Sequence, residues 1–199
     1  VSRGAFRQAG LIDVDSVEQL YEAAKALTLQ PAAAGPRLGM ISNGAGTVIQ
    51  AIDLLDSAGL ELTALAQATE DNLKQLLPSH CIAHNPVDVT GSASAEDYRV
   101  GIQGLSSDAG VDIVMPWFVF QDTPLGEDIV SVLGDLSRSS GKPIVCGAMG
   151  GTYTDRMASA IEEAGVPVAR SVSAWIAAAR ALVISGRRQE AEHSEPARS

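Results

Sequence analysis

From Arg37 onward the chain keeps returning to one unit: a short apolar or β-branched run, a turn rich in Gly, Pro, Asn or Ser, and then a longer amphipathic run. Parallel strands cannot be joined by a tight turn, and a covering helix supplies the crossover they need. The strands expected on this rhythm are Leu38 to Ser42, Glu61 to Leu65, Pro86 to Val89, Val111 to Pro116, Pro143 to Gly147 and Val166 to Ala169. The helices expected between and after them are roughly 46–58, 69–77, 95–107, 125–139, 154–164 and 172–185. Right-handed crossovers place such helices on both sides of the sheet. The expected fold class is therefore α/β, a doubly wound, mostly parallel open sheet with helices on both faces.

A second feature divides the chain. Offset by 155 positions, residues 6–27 (FRQAGLIDVDSVEQLYEAAKAL) and 161–182 (IEEAGVPVARSVSAWIAAARAL) match at Ala9/Ala164, Gly10/Gly165, Ser16/Ser171, Val17/Val172, Ala23/Ala178, Ala24/Ala179, Ala26/Ala181 and Leu27/Leu182, with Lys25 opposite Arg180. The second copy reads as the closing module of an α/β domain: a helix ending in Ala-Gly, an edge strand, a Ser N-cap and an Ala-rich helix. The first copy then reads as the closing module of a preceding domain. The alternative is two Ala-rich helices that agree only in composition. On the first reading residues 1–29 are the tail of one domain, 30–36 (QPAAAGP) a linker and 37–186 a second domain. The polar stretch 187–199, which includes His193, is expected to be disordered.

Composition narrows the function classes. Fourteen Lys and Arg against 24 Asp and Glu leave a net charge of −10, with no basic cluster for phosphate backbones, so nucleic acid is not an expected partner. No apolar run is long enough to span a membrane, and the N-terminal VSRGAFRQAG has no signal-peptide core, so a cytoplasmic protein without a membrane partner is expected. Cys81 and Cys146 form no CxxC pair, in keeping with a reducing compartment. His80, Cys81 and His84 begin a metal-like spacing but lack a second ligand pair, so no metal site is expected.

In an open parallel sheet, ligands gather at the carboxyl ends of the strands. The first strand runs into Ser42-Asn43-Gly44-Ala45-Gly46-Thr47, with a helix opening at once. First-turn amides have no partner within the helix and face an anion favourably, so Asn43, Gly44, Ala45, Gly46 and Thr47 are candidate phosphate-binding residues. The motif is not a dinucleotide fingerprint, because Ile49 stands where GxGxxG needs glycine. A second loop, HNPVDVTGSAS, offers Asn85, Asp88, Thr90 and Gly91, either as ligands at a strand end or as a polar loop that satisfies its own backbone. Ser94 with Asp97, and Thr152 with Asp155, have capping-box spacing. Trp117, Phe118 and Phe120 follow Pro116: they form a docking surface if they lie in a loop, or core if the strand runs on.

Taken together, AGLIDVDSVEQLYEAAKAL, RLGMISNGAG, LPSHCIAHNPVDVTGSASAEDY and EAGVPVARSVSAWIAAARAL resemble the ADP-forming acyl-CoA synthetase (acetate–CoA ligase) family, relatives of succinyl-CoA synthetase. The resemblance implies a flavodoxin-like fold for residues 37–186. It also implies a larger protein in which a CoA-binding Rossmann domain and a flavodoxin-like domain carrying a phosphorylatable histidine precede this one. An ATP-grasp module, fused or separate, completes the set. Such enzymes interconvert acid, CoA and ATP with acyl-CoA, ADP and phosphate through a phosphohistidine. CoA, ATP or ADP and Mg would be held by the other domains, with phosphate the only group this chain would touch. The histidine loop lies upstream of the matched tail, so the resemblance implies no catalytic residue in this chain and no activity for it alone. The alternatives are a non-catalytic module that senses CoA or a nucleotide within a fusion protein, and a free-standing flavodoxin-like protein.

Overall fold

A computed structural model describes residues 11–122 and 124–194, together with Gly4 and Phe6. Helix α1 (Val17–Leu29) leads into β1 (Arg37–Ser42), α2 (Ala45–Ala58), β2 (Glu61–Leu62), α3 (Gln67–Leu76), β3 (Val87–Asp88) and α4 (Ala95–Ser107). Then follow β4 (Ile113–Phe118), α5 (Asp128–Ser139), β5 (Cys146–Ala148), α6 (Thr152–Glu163), β6 (Val168–Ala169) and α7 (Val172–Ser194). All six strands lie in one sheet, ordered β2-β1-β4-β5-β6, and every ladder between them is parallel. Strand β3 shares with β2 the outer edge of β1: β2 pairs at Arg37 and Leu38, and β3 at Ile41 and Ser42. The order reverses between β1 and β4, so the switch point lies where Ser42 and Phe118 end.

Alternation along the central strands sorts the two cores. Leu38 and Met40 of β1, with Ile113, Met115 and Trp117 of β4, face α2 and α7. Ile41, Val114 and Phe118 face the other way, toward α3, α4, α5 and α6. Both sheet faces are thus buried, as a parallel sheet requires. Trp117 and Phe118 are buried because β4 does not stop at Pro116, and Phe120 is buried beyond the strand's end. The docking-surface reading of these aromatics therefore fails, and they are core.

Pro116 leaves its mark on the sheet. Val145 N donates to Val114 O and Val114 N to Pro143 O, so the next link would run from residue 116 to Val145 O. Proline has no N–H to give. The Trp175 indole fills the vacancy, donating from Nε1 to Val145 O at 2.8 Å. A comparable repair is made by Asn85 on the far edge of β1, between β2 and β3. Its Oδ1 accepts from Met40 N (2.9 Å), and its Nδ2 donates to Leu38 O (2.7 Å) and Thr63 O (2.8 Å).

Residues 30–36 are held against the domain. Gln30 accepts from Ile144 N (2.9 Å) and donates to Gly165 O (2.8 Å), while Ala33 N donates to Leu182 O (3.1 Å). At the other end α7 continues to Ser194, beyond the 185 expected from sequence and into the stretch expected to be disordered. Its last turns are rich in good helix formers, and Arg188 pairs with Glu192 one turn on (2.9 Å). Residues 195–199 lie outside the described residues.

The amino end of the sheet is fixed by Asp112. Its carboxylate accepts from Arg37 N (3.0 Å), Nε (2.8 Å) and Nη2 (2.7 Å). Burial alone would raise its pKa, but the hydrogen bonds and charge of Arg37 prevail and hold it below the ordinary carboxylate value. A depressed pKa stabilises the fold above the unfolded-state pKa, and the benefit is lost as pH falls through the folded-state value. Asp112→Asn is therefore expected to lower the urea midpoint at pH 7, with the gap to wild type closing below about pH 4. Trp175→Phe, which leaves Val145 O unpartnered in the core, is expected to cost about 2 kcal/mol in the same measurement.

Candidate functional site

The carboxyl edge at the switch point is built around Asn43. Its side chain is buried and faces inward, with Oδ1 accepting from Val119 N (2.8 Å) and Nδ2 donating to Val119 O (3.0 Å). Its own N–H donates to the Tyr98 hydroxyl (2.8 Å), which in turn lies 2.7 Å from Trp117 O and 2.9 Å from Asn43 Oδ1. Tyr98 is fully buried, and desolvation pushes its pKa well above the ordinary value, so the hydroxyl stays protonated as a donor. Asn43 thus joins the end of β1 to the end of β4.

Gly44 follows as the N-cap of α2. Its N–H donates to Ser42 Oγ (2.9 Å), and Ser42 Oγ donates back to Gly44 O (3.0 Å). A methyl group here would sit 2.7 Å from Val119 Cγ2, so the close approach of this turn to the β4 loop requires glycine. No side chain caps the helix. Ala45 and Gly46 are exposed and Thr47 is half-buried, which leaves the amides of these three as the outward-facing part of the predicted phosphate seat. Around Gly46 there is open space: an added Cβ meets nothing within 4 Å.

The second predicted group divides. Asn85 is a sheet-edge bridge, its side-chain amide engaged by β1 and Thr63. Asp88 accepts from Thr90 N (2.8 Å), the self-satisfying turn that was the alternative reading of this loop. Thr90 adopts φ 61, a backbone state that costs a β-branched residue on the order of 1–3 kcal/mol. Gly91 lies beside Asp122: a Cβ there would be 3.2 Å from Asp122 Oδ2. The loop after β4 is therefore the hub of the edge, with Val119 against Asn43 and Gly44, Asp122 against Gly91, and Gln121 bound to the buried Thr154 of α6 (2.9 Å). Sequence reasoning missed Val119, Gln121 and Asp122 because β4 was expected to end at Pro116. The available signal was the alternation Ile113, Met115, Trp117, which continues through the proline.

Two smaller expectations separate in the same region. Ser94 and Asp97 form a capping box at α4. Thr152 and Asp155 do not: α6 is capped by Gly151, and Asp155 turns to Arg170 (2.7 Å). His80 lies 3.1 Å from Ser92 Oγ, Cys81 approaches Val89 O at 3.7 Å, and His84 is exposed. Among the described residues no group of three His, Cys, Asp or Glu is placed to hold a metal ion, and no helix is long and apolar enough to cross a membrane.

Asn43→Asp keeps the acceptor but loses the donor to Val119 O and introduces a buried charge beside it. The expected loss is about 3 kcal/mol in urea unfolding, whereas Gly46→Ala, at an exposed helical position with open space around it, is expected to cause no loss.

No protein-family model matches the chain. It is 35% identical over 185 residues, 93% of its length, to acetate–CoA ligase [ADP-forming] I of Archaeoglobus fulgidus. It is 30% identical over 189 residues, 92% of its length, to the alpha subunit of acetate–CoA ligase [ADP-forming] II of Pyrococcus furiosus. The chain spans only 25% of the first relative and 41% of the second. In solved structures, PH0766 from Pyrococcus horikoshii OT3 matches with a TM-score of 0.86 at 25% identity, over 94% of this chain and 43% of that one. The dinucleotide-forming acetyl-coenzyme A synthetase 1 of Ca. Korarchaeum cryptofilum, solved with phosphate and ADP, matches in fold with a TM-score of 0.85 at 24% identity, over 99% of this chain and 43% of that one. The chain is therefore a relative of the ADP-forming acetate–CoA ligases, homologous over most of its length to one α/β segment of them.

Proposed function

We propose that this chain is the part of an NDP-forming acyl-CoA synthetase that presents the N-terminus of α2 to a phosphoryl group and docks the domains that carry it. The whole enzyme would interconvert acid, CoA and ATP with acyl-CoA, ADP and phosphate through a phosphohistidine on a neighbouring domain. On this reading CoA, ATP and Mg belong to the Rossmann and ATP-grasp parts, and this chain supplies no nucleophile, acid or base.

The observation that carries the reading is the state of α2's first turn. Asn43 and Ser42 absorb the polar groups below it, and the amides of Ala45, Gly46 and Thr47 are left at the exposed, uncapped end of a fourteen-residue helix beside the switch point. The aligned peptide dipoles give such an end a partial positive charge, which favours an anion there without a counter-ion that would have to be moved. A dianionic phosphohistidine needs that kind of fixed, pre-oriented potential when it leaves water.

Gly46 is the informative position for substitution, because Gly44 is held by the contact with Val119 and would report folding instead. In the full-length enzyme, Gly46→Glu is expected to reduce phosphoenzyme labelling by ATP at least ~10-fold while leaving the melting temperature unchanged. Undiminished labelling would count against the role. The chain by itself is expected to form no acyl-CoA from acid, CoA and ATP, and turnover by the isolated chain would refute the assignment of all catalytic groups to its neighbours.

A further inference from the structure

Helix α4 is seated against the central strands by its own sequence. The capping box of Ser94 and Asp97 fixes where it starts, and the face that follows buries Tyr98, Gly101, Ile102 and Leu105. At Gly101 an added Cβ would overlap Ile41 Cδ1, so the missing side chain lets α4 press directly on β1. One turn earlier the Tyr98 ring packs against Phe118 of β4 with centroids 4.6 Å apart, and Phe118 stacks in turn on Phe120 (5.2 Å). The phenol is thus held from both strands.

Its hydroxyl stands inside the ladder between β1 and β4. Leu38, Met40 and Ser42 turn their peptide groups to the outer edge of β1, where Asn85 and Val89 N meet them. The peptide groups of residues 39, 41 and 43 therefore face β4. With Ser42 in register with Trp117, the next link of a parallel ladder would run straight from Asn43 N to Trp117 O. Instead Asn43 N donates to the Tyr98 hydroxyl (2.8 Å), which lies 2.7 Å from Trp117 O. A hydroxyl has one proton to give, and Asn43 Oδ1, at 2.9 Å, already accepts from Val119 N, so the shorter contact to Trp117 O takes it. One bond of about 2.9 Å is replaced by two in series, and the strands part where this oxygen stands between them.

We propose that Tyr98 is a positioning residue: its hydroxyl is a spacer that keeps β1 and β4 apart at the switch point, and through Asn43 it sets the direction in which Ala45, Gly46 and Thr47 present their amides. It touches no phosphate itself. The proposal rests on the reading of α2's first turn as a phosphate seat and adds what aims that seat. Aim matters, because a misplacement of about 1 Å at a reacting group costs on the order of 100-fold in rate.

The test is Tyr98→Phe, read in two ways. In crystals of the 199-residue chain, Asn43 N is expected to bond Trp117 O directly and the first turn of α2 to shift. A first turn in its wild-type place would overturn the proposal, whatever that turn binds. In the full-length enzyme, the single-turnover rate of phosphoenzyme labelling by ATP is expected to fall at least ~10-fold, with KM for ATP and for CoA within ~2-fold of wild type. Ile102→Ala loosens the same helix without touching the hydroxyl, and is expected to lower the melting temperature yet label at the wild-type rate well below it. Equal slowing in both variants would make Tyr98 a packing residue only, against the proposal. So would wild-type labelling by Tyr98→Phe in an enzyme where Gly46→Glu impairs it, an outcome that leaves the seat standing without this support. Normal labelling by Gly46→Glu would remove the seat itself, and with it the role assigned to Tyr98. Gly101→Ala keeps the hydroxyl and, as a helix-favouring change, does not depend on how well Tyr98→Phe folds. Its methyl meets Ile41, so labelling is expected to slow as α4 backs away from β1, and to recover when Ile41→Val clears the space; a wild-type rate in Gly101→Ala would also count against the proposal.

Discussion

Peptide groups buried in a sheet that is covered on both faces cannot turn to water, and each break in the ladder must be answered from within the fold. This sheet breaks repeatedly, because β2, β3, β5 and β6 are short and Pro116 sits in the central strand. Side chains make good the losses. Asn85 bridges the gap on β1's outer edge, Trp175 serves the carbonyl that Pro116 cannot, and Gln30 serves Ile144 N from outside the sheet. Asn43 does the same where β1 and β4 part. Short strands with dedicated polar side chains thus give the order and registration that longer ladders would otherwise supply.

The same requirement shapes the candidate site. Because Asn43 and Tyr98 satisfy the strand ends from below, α2 can begin immediately after the sheet without a side-chain cap of its own. The β4 loop then has to lie close over Gly44, and from there it reaches Gly91 and Thr154, so it is tied to the start or approach of three other helices. A terminus held on regular elements, with its supports locked by packing, is the sort of rigid placement that electrostatic stabilisation of a transferring group demands.

Much of this was legible in the sequence. The alternation of short apolar runs and helical runs placed every element near its observed position, and the Ser94 to Asp97 spacing identified the capping box at α4. What escaped were residues whose local preference is overruled by distant partners. Pro116 reads as a strand end until its missing donor is replaced by an indole 59 positions further on. Asn85 reads as loop chemistry, although its amide is part of the sheet. Asp155 was spaced to cap a helix with Thr152, but an arginine beyond the next strand claims it. In each case the deciding contact is non-local, and a spacing rule has no access to it.

The chain's two tryptophans meet edge to face, ring centroids 5.1 Å apart, in the packing between β4 and α7. One of them completes the sheet and the other lies within its central strand, so their emission reads the cohesion of that layer.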